Sequence, residues 1–109
     1  MKLDFDILPE NSVENLFGGK GTVYSKGGGD AHNVIMLLRL PAGSSVGIHS
    51  HPDDAEVNYV ISGKASFTID GREEVLGPGE CHYCPKGSTH DTVNCGDGDL
   101  VLFTVIPKE

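Results

Sequence analysis

The chain has 109 residues, 38% of them apolar, and its 8 Lys plus Arg against 16 Asp plus Glu leave a formal net charge of −8. A length near the commonest domain size allows one domain with one core. Because an acidic chain with scattered basic residues repels phosphate backbones, nucleic acid and polybasic membrane contacts are excluded as expected partners.

The opening segment, where Asp4, Asp6, Pro9 and Glu10 interrupt Leu3, Phe5, Ile7 and Leu8, lacks the charged region and apolar block of a secretory signal. The longest apolar runs, Val34 to Leu38 and Leu100 to Phe103, fall short of the roughly 18 residues that span a bilayer. Three cysteines, Cys81, Cys84 and Cys95, are too few and odd in number for a disulfide scaffold, so reduced thiols in a cytoplasmic protein are expected. Residues 1 to 30 are expected to form an N-terminal segment packed on a barrel built by residues 31 to 109. Within that segment Ser25 to Asp30, with three successive glycines, is expected to be a flexible loop. No strand-to-helix pattern flanks it, so it is not a phosphate cradle.

Beyond residue 30, glycines and prolines punctuate the chain every several residues and leave no window for a strongly amphipathic helix. The runs between them are short, β-branched and aromatic, and predict strands at His32 to Leu40, Gly47 to His51, Glu56 to Ile61, Ala65 to Ile69, Glu73 to Leu76, Cys81 to Cys84, His90 to Asn94 and Leu100 to Ile106. Many short strands imply an all-β sandwich or barrel. Asp70-Gly71 between two such runs is a strong hairpin signal. Alternation of Ala65, Phe67 and Ile69 with Ser66 and Thr68 predicts one buried and one wet face.

His49 and His51 are one residue apart. On a helix they would point roughly 200° apart, whereas on a strand they share a face about 7 Å from one another. Glu56 follows the turn-forming Pro52-Asp53-Asp54-Ala55, which brings its carboxylate back beside the two rings. His90 begins a later strand after another turn, Pro85-Lys86-Gly87, and can lie against the first two. Three imidazoles and a carboxylate suit one divalent transition metal ion, Mn, Fe, Co, Ni, Cu or Zn, better than Ca or Mg. Spacing alone does not choose among them. On a six-coordinate ion two positions stay open for water or substrate.

At these residues the sequence resembles the cupin superfamily. Gly43, His49, His51, Glu56 and Gly63 fall on its first motif, and Gly79, Pro85, Gly87, His90 and Asn94 on its second. The resemblance implies a double-stranded β-helix, a small jelly-roll barrel in a single domain, with His49, His51, Glu56 and His90 binding the metal inside it. With no second motif pair, a single barrel rather than a two-barrel protein is expected. Small cupins are often dimers, so a homodimer is expected.

Asp53 and Asp54 are read as a solvated turn outside the site. Cys81 and Cys84 spell a C-x-x-C, but strand positions three apart lie about 10 Å apart on opposite faces, so no disulfide and two packed thiols are expected. His82 shares a face with Cys84, and in related barrels the residue before the motif proline commonly points inward. His82 is therefore a candidate catalytic acid or base, a substrate contact or a residue behind a ligand, with a plain surface histidine as the alternative. Asn58 has the parity of Glu56 and is a candidate substrate contact. Val57, Tyr59 and Ile61 face the other way and need covering by the N-terminal segment, the second sheet or a partner subunit. His32 is read as a surface residue. The leading functional expectation is a metal-dependent enzyme of oxygenase, isomerase or lyase type acting on a small oxygen-rich molecule. The rival is a binding or sensing module that holds such a molecule without turnover.

Overall fold

In the computed structural model, which describes residues 1 to 108, ten strands form two antiparallel sheets. They are β1 (Asn11–Glu14), β2 (Thr22–Gly29), β3 (Asn33–Leu40), β4 (Ser45–Ser50), β5 (Glu56–Ser62), β6 (Ala65–Ile69), β7 (Arg72–Leu76), β8 (Cys81–Cys84), β9 (Thr89–Asn94) and β10 (Leu100–Pro107). The larger sheet runs β1-β2-β3-β10-β5-β8 and the smaller β4-β9-β6-β7. Non-sequential neighbours such as β3 and β10 make this a jelly-roll rather than a meander. No helix among the described residues is long and apolar enough to cross a membrane.

Alternation decides which side chains meet between the sheets. Leu40, Val60, Ala65, Phe67, Leu100 and Leu102 are each 0% exposed and form the centre of the core. Complete burial of a large apolar side chain contributes about 1.5–3 kcal/mol, and these residues come from both sheets, so the core is what holds the sheets together. The hairpin between β6 and β7 turns at Asp70 (φ 47°) and Gly71 (φ 84°), with Ile69 opposite Arg72. Both central residues have positive φ, the twist that matches two antiparallel strands. The other face of β6 is drier than alternation predicts, because Ser66 is buried with its hydroxyl donated to Glu73 Oε2.

The glycine-rich stretch before β3 differs from the sequence reading. Ser25 to Gly29 are not a loop but the second half of β2, with Gly27, Gly28 and Gly29 opposite Met36, Ile35 and Val34. The reason is close backbone approach: a Cβ at Gly27 would collide with the Ile35 carbonyl oxygen. β1 then pairs with β2, Val13 opposite Val23. A single 3₁₀ turn, Leu16–Gly18, lies against β4. On the outer face of the larger sheet Tyr59, Ile61 and Tyr83 are 43%, 46% and 58% exposed, so neither the N-terminal segment nor the second sheet covers them.

Candidate metal centre

β4 brings His49 and β9 brings His90 directly opposite each other in the smaller sheet. His51 follows β4 by one residue, and its backbone N–H donates to Ser88 O. Glu56 opens β5 in the larger sheet, across the barrel interior. Nε2 of His90 lies 3.1 Å from Nε2 of His51 and 3.1 Å from Nε2 of His49. Oε1 of Glu56 stands 3.0 Å from His51 Nε2, 3.5 Å from His90 Nε2 and 3.7 Å from His49 Nε2. One donor atom from each residue fits within 4.8 Å of the others.

The outer ring atoms explain why the Nε2 atoms converge. His49 Nδ1–H donates to Gly47 O (2.8 Å), His51 Nδ1–H to Asp54 Oδ1 (2.7 Å), and His90 Nδ1–H to His82 Nε2 (3.0 Å). Each donation leaves a bare lone pair on Nε2, the tautomer a metal ligand requires. With His90 Nε2 3.1 Å from each of the other two, their lone pairs repel unless a cation or a shared proton lies among them. The donor set therefore fits a divalent transition ion.

Burial opposes the charge on Glu56, but the His49 and His90 rings, whenever Nε2 carries a proton, and the hydrogen bond from Asn58 outweigh it and hold the carboxyl far below the usual range. Burial likewise opposes protonation of His49, yet Glu56 and the Gly47 carbonyl overcome it and leave the ring more basic than usual. For His82 burial wins over Glu74, and its basicity is lowered. The Phe17 ring stacks on His49 at 4.4 Å and covers one side of the cluster.

Two residues singled out for substrate chemistry sit behind the cluster. Asn58, 0% exposed, donates from Nδ2 to Glu56 Oε2 (2.7 Å) and accepts from Thr104 Oγ1 (2.7 Å). His82, also 0% exposed, has both ring nitrogens engaged, one with His90 and one with Glu74 Oε1 at 2.8 Å. Asp54 is outside the donor set, but it is not a merely solvated turn residue, since it aims His51. Nothing in sequence spacing separates those uses. Cys84 is buried as expected, Cys81 is exposed rather than packed, and all three thiols are free. Alternation along β8 places them on opposite faces. His32 is exposed.

A cavity of about 230 Å³ lies beside His49 and Glu56, walled by Leu16, Met36, Leu38, Val46, Thr92 and Thr104. A wider cleft opens outward past His51 and Asp54 to Lys108.

Two sheets closed around three imidazoles and a carboxylate define a barrel that could hold a metal ion. The family model for the cupin domain matches residues 36–106, and the chain belongs to that family. An oxalate-binding protein of Thermotoga maritima is 34% identical over 109 residues, covering 93% of this chain and 88% of the relative. The crystal structure of a predicted oxalate decarboxylase from the same organism superposes with a TM-score of 0.93 at 26% identity, covering 100% of both chains. A sugar phosphate isomerase of the superfamily from Silicibacter pomeroyi shares the fold, with a TM-score of 0.81 at 24% identity over 100% of this chain and 76% of that one.

Proposed function

We propose that the chain binds one divalent transition metal ion through His49, His51, Glu56 and His90, and that a small carboxylate offering two oxygens, of the oxalate class, binds on that ion. The observation that carries this reading is the convergence of three bare Nε2 atoms and Glu56 Oε1 at the end of a small, mostly apolar cavity. An ion in such a site supplies Lewis acidity and local positive charge, which an acidic chain otherwise lacks. The residues of the chain do the rest: Leu16, Phe17 and Met36 exclude water, Asn58 holds the Glu56 carboxylate, and Thr92 offers a hydroxyl to the bound molecule. No Lys or Arg lines the inner cavity, which favours a compact carboxylate over a phosphorylated sugar.

Retention without turnover is the use this site supports best, because the two residues that the sequence offers for moving a proton or orienting a substrate, His82 and Asn58, are occupied by internal hydrogen bonds. The enzymatic reading, an oxygenase, isomerase or lyase step on the same molecule, keeps one supporting feature, the mostly apolar cavity beside the cluster. Titration of oxalate, glycolate and pyruvate into Mn- or Co-loaded protein is the test. Binding by wild type and none by His49→Ala supports the proposal, and product in the same tubes selects the enzyme. Equal binding by both overturns the metal-centred reading. We further propose a homodimer through the outer face carrying Tyr59, Ile61 and Tyr83.

A further inference from the structure

His90 differs from the other two ligand imidazoles in how it is aimed. His49 and His51 are set by acceptors two and three residues away, whereas His90 Nδ1 meets His82 Nε2 at 3.0 Å, and His82 Nδ1 meets Glu74 Oε1 at 2.8 Å. The row crosses the barrel, from β7 in the smaller sheet to β8 in the larger and back to β9. His82 is clamped flat on Phe67, with ring centroids 4.0 Å apart and 12° between planes, and lies nearly parallel to His90 at 17°. Its far end is open, since the Glu74 side chain is 48% exposed.

Counting protons leaves one arrangement. A carboxylate only accepts and a neutral imidazole carries one N–H, so Glu74 requires the His82 hydrogen on Nδ1. His82 Nε2 must then accept, which requires the His90 hydrogen on Nδ1 and leaves the His90 Nε2 lone pair bare. The opposite tautomer of His90 would set two lone pairs against each other at 3.0 Å. A surface carboxylate thereby determines which nitrogen of a buried ring is a ligand, two rings away.

We propose that Glu74 is a positioning residue of the metal centre, acting through His82 to fix the tautomer and ring orientation of His90. This rests on the reading that His90 is a metal ligand. Outer partners of ligand histidines change metal affinity about 10- to 100-fold when removed. Titration with Co(II), followed by its visible absorption, is expected to show about tenfold weaker binding and an altered spectrum for Glu74→Ala. Glu74→Gln, whose amide oxygen can still accept from His82, is expected to recover most of the affinity. His82→Phe should lose as much or more, and adding Glu74→Ala to it should lose nothing further. Glu73→Ala, removing the neighbouring carboxylate that serves Ser66 instead, should bind as wild type does.

A readout without metal accompanies these. Long-range ¹⁵N–¹H spectra of the histidine rings in the metal-free chain are expected to show His90 protonated on Nδ1 in wild type and a tautomer mixture in Glu74→Ala. Wild-type affinity and spectrum in Glu74→Ala, an unchanged His90 tautomer, or losses that multiply in the double variant would overturn the proposal. Failure of wild type to take up Co(II) would instead bring down the metal centre itself, and this role with it.

Discussion

Each ligand imidazole depends on a particular acceptor, and the three acceptors are chemically unequal. Asp54 is a half-buried side chain that can be cut away without touching the core. Asp54→Ala is expected to weaken metal binding about tenfold while leaving the urea midpoint within the error of a surface substitution. Acidification acts on the ligands themselves. An ion and a proton compete for His49 Nε2, and this ring holds protons more strongly than a free imidazole. Metal affinity is thus expected to begin falling already above about pH 6.5 as pH drops, measurable by titration across that range. For the metal-free fold the sign reverses. A raised folded pKa contributes stability below the unfolded value that is lost as pH rises through the folded one. Thiol reactivity separates the cysteines: burial, then the charge of Glu56, pushes the Cys84 thiol up to about 11. A maleimide at pH 8 is expected to label Cys81 and Cys95 and spare Cys84, as read by peptide mass. At this scale the sequence shows the donors, because the two-residue strand period aligns His49 with His51. It hides Asp54 and Glu74, whose roles exist only where a ring is brought to them by the fold.

The 3₁₀ turn at Leu16–Gly18 is seated on β4 backbone against backbone. A Cβ at Gly47 would overlap the Phe17 carbonyl, and one at Gly19 the Ser45 carbonyl. Gly47→Ala is therefore expected to lift the turn, cost about 1–3 kcal/mol in urea denaturation followed by circular dichroism, and free Phe17 from the His49 ring. The same substitution displaces the carbonyl that aims His49, so metal binding should weaken with it. Elements from β3 onward are legible because short β-branched and aromatic runs fall between breakers, and the motif glycines Gly43, Gly63, Gly79 and Gly87 mark turns, each with positive φ. β1 and β2 are not, for opposite reasons. All four residues of β1 are exposed, so no alternation marks it. β2 carries glycines where β3 comes close, and composition alone cannot tell such a strand from a loop.

At the scale of the molecule, the outer face with Tyr59, Ile61 and Tyr83 offers the larger sheet a surface of the kind that associates. Sedimentation is expected to give twice the 11.6 kDa chain mass, and Tyr59→Glu with Tyr83→Glu to return it to one. A monomeric wild type would leave that face without a second copy. The antiparallel closure of two sheets is legible in the count of short strands and the β6–β7 hairpin in Asp70-Gly71, but the long-range neighbours are not, since pairings such as β10 with β3 join residues 60 to 74 positions apart.

The four donors are not carried by one sheet: His49 and His90 belong to the smaller and Glu56 to the larger. An ion coordinated by all four is consequently a cross-link as well as a reagent, a rivet between the two sheets. Occupancy at a hundred times Kd is worth about 2.7 kcal/mol of fold stability. Hydrogen exchange in a loaded chain should slow together in β4, β5 and β9, which hold the rivet, and stay unchanged in β1 at the far edge. A chelator would then unfasten one end of the protein while leaving the Phe67 and Leu100 core shut.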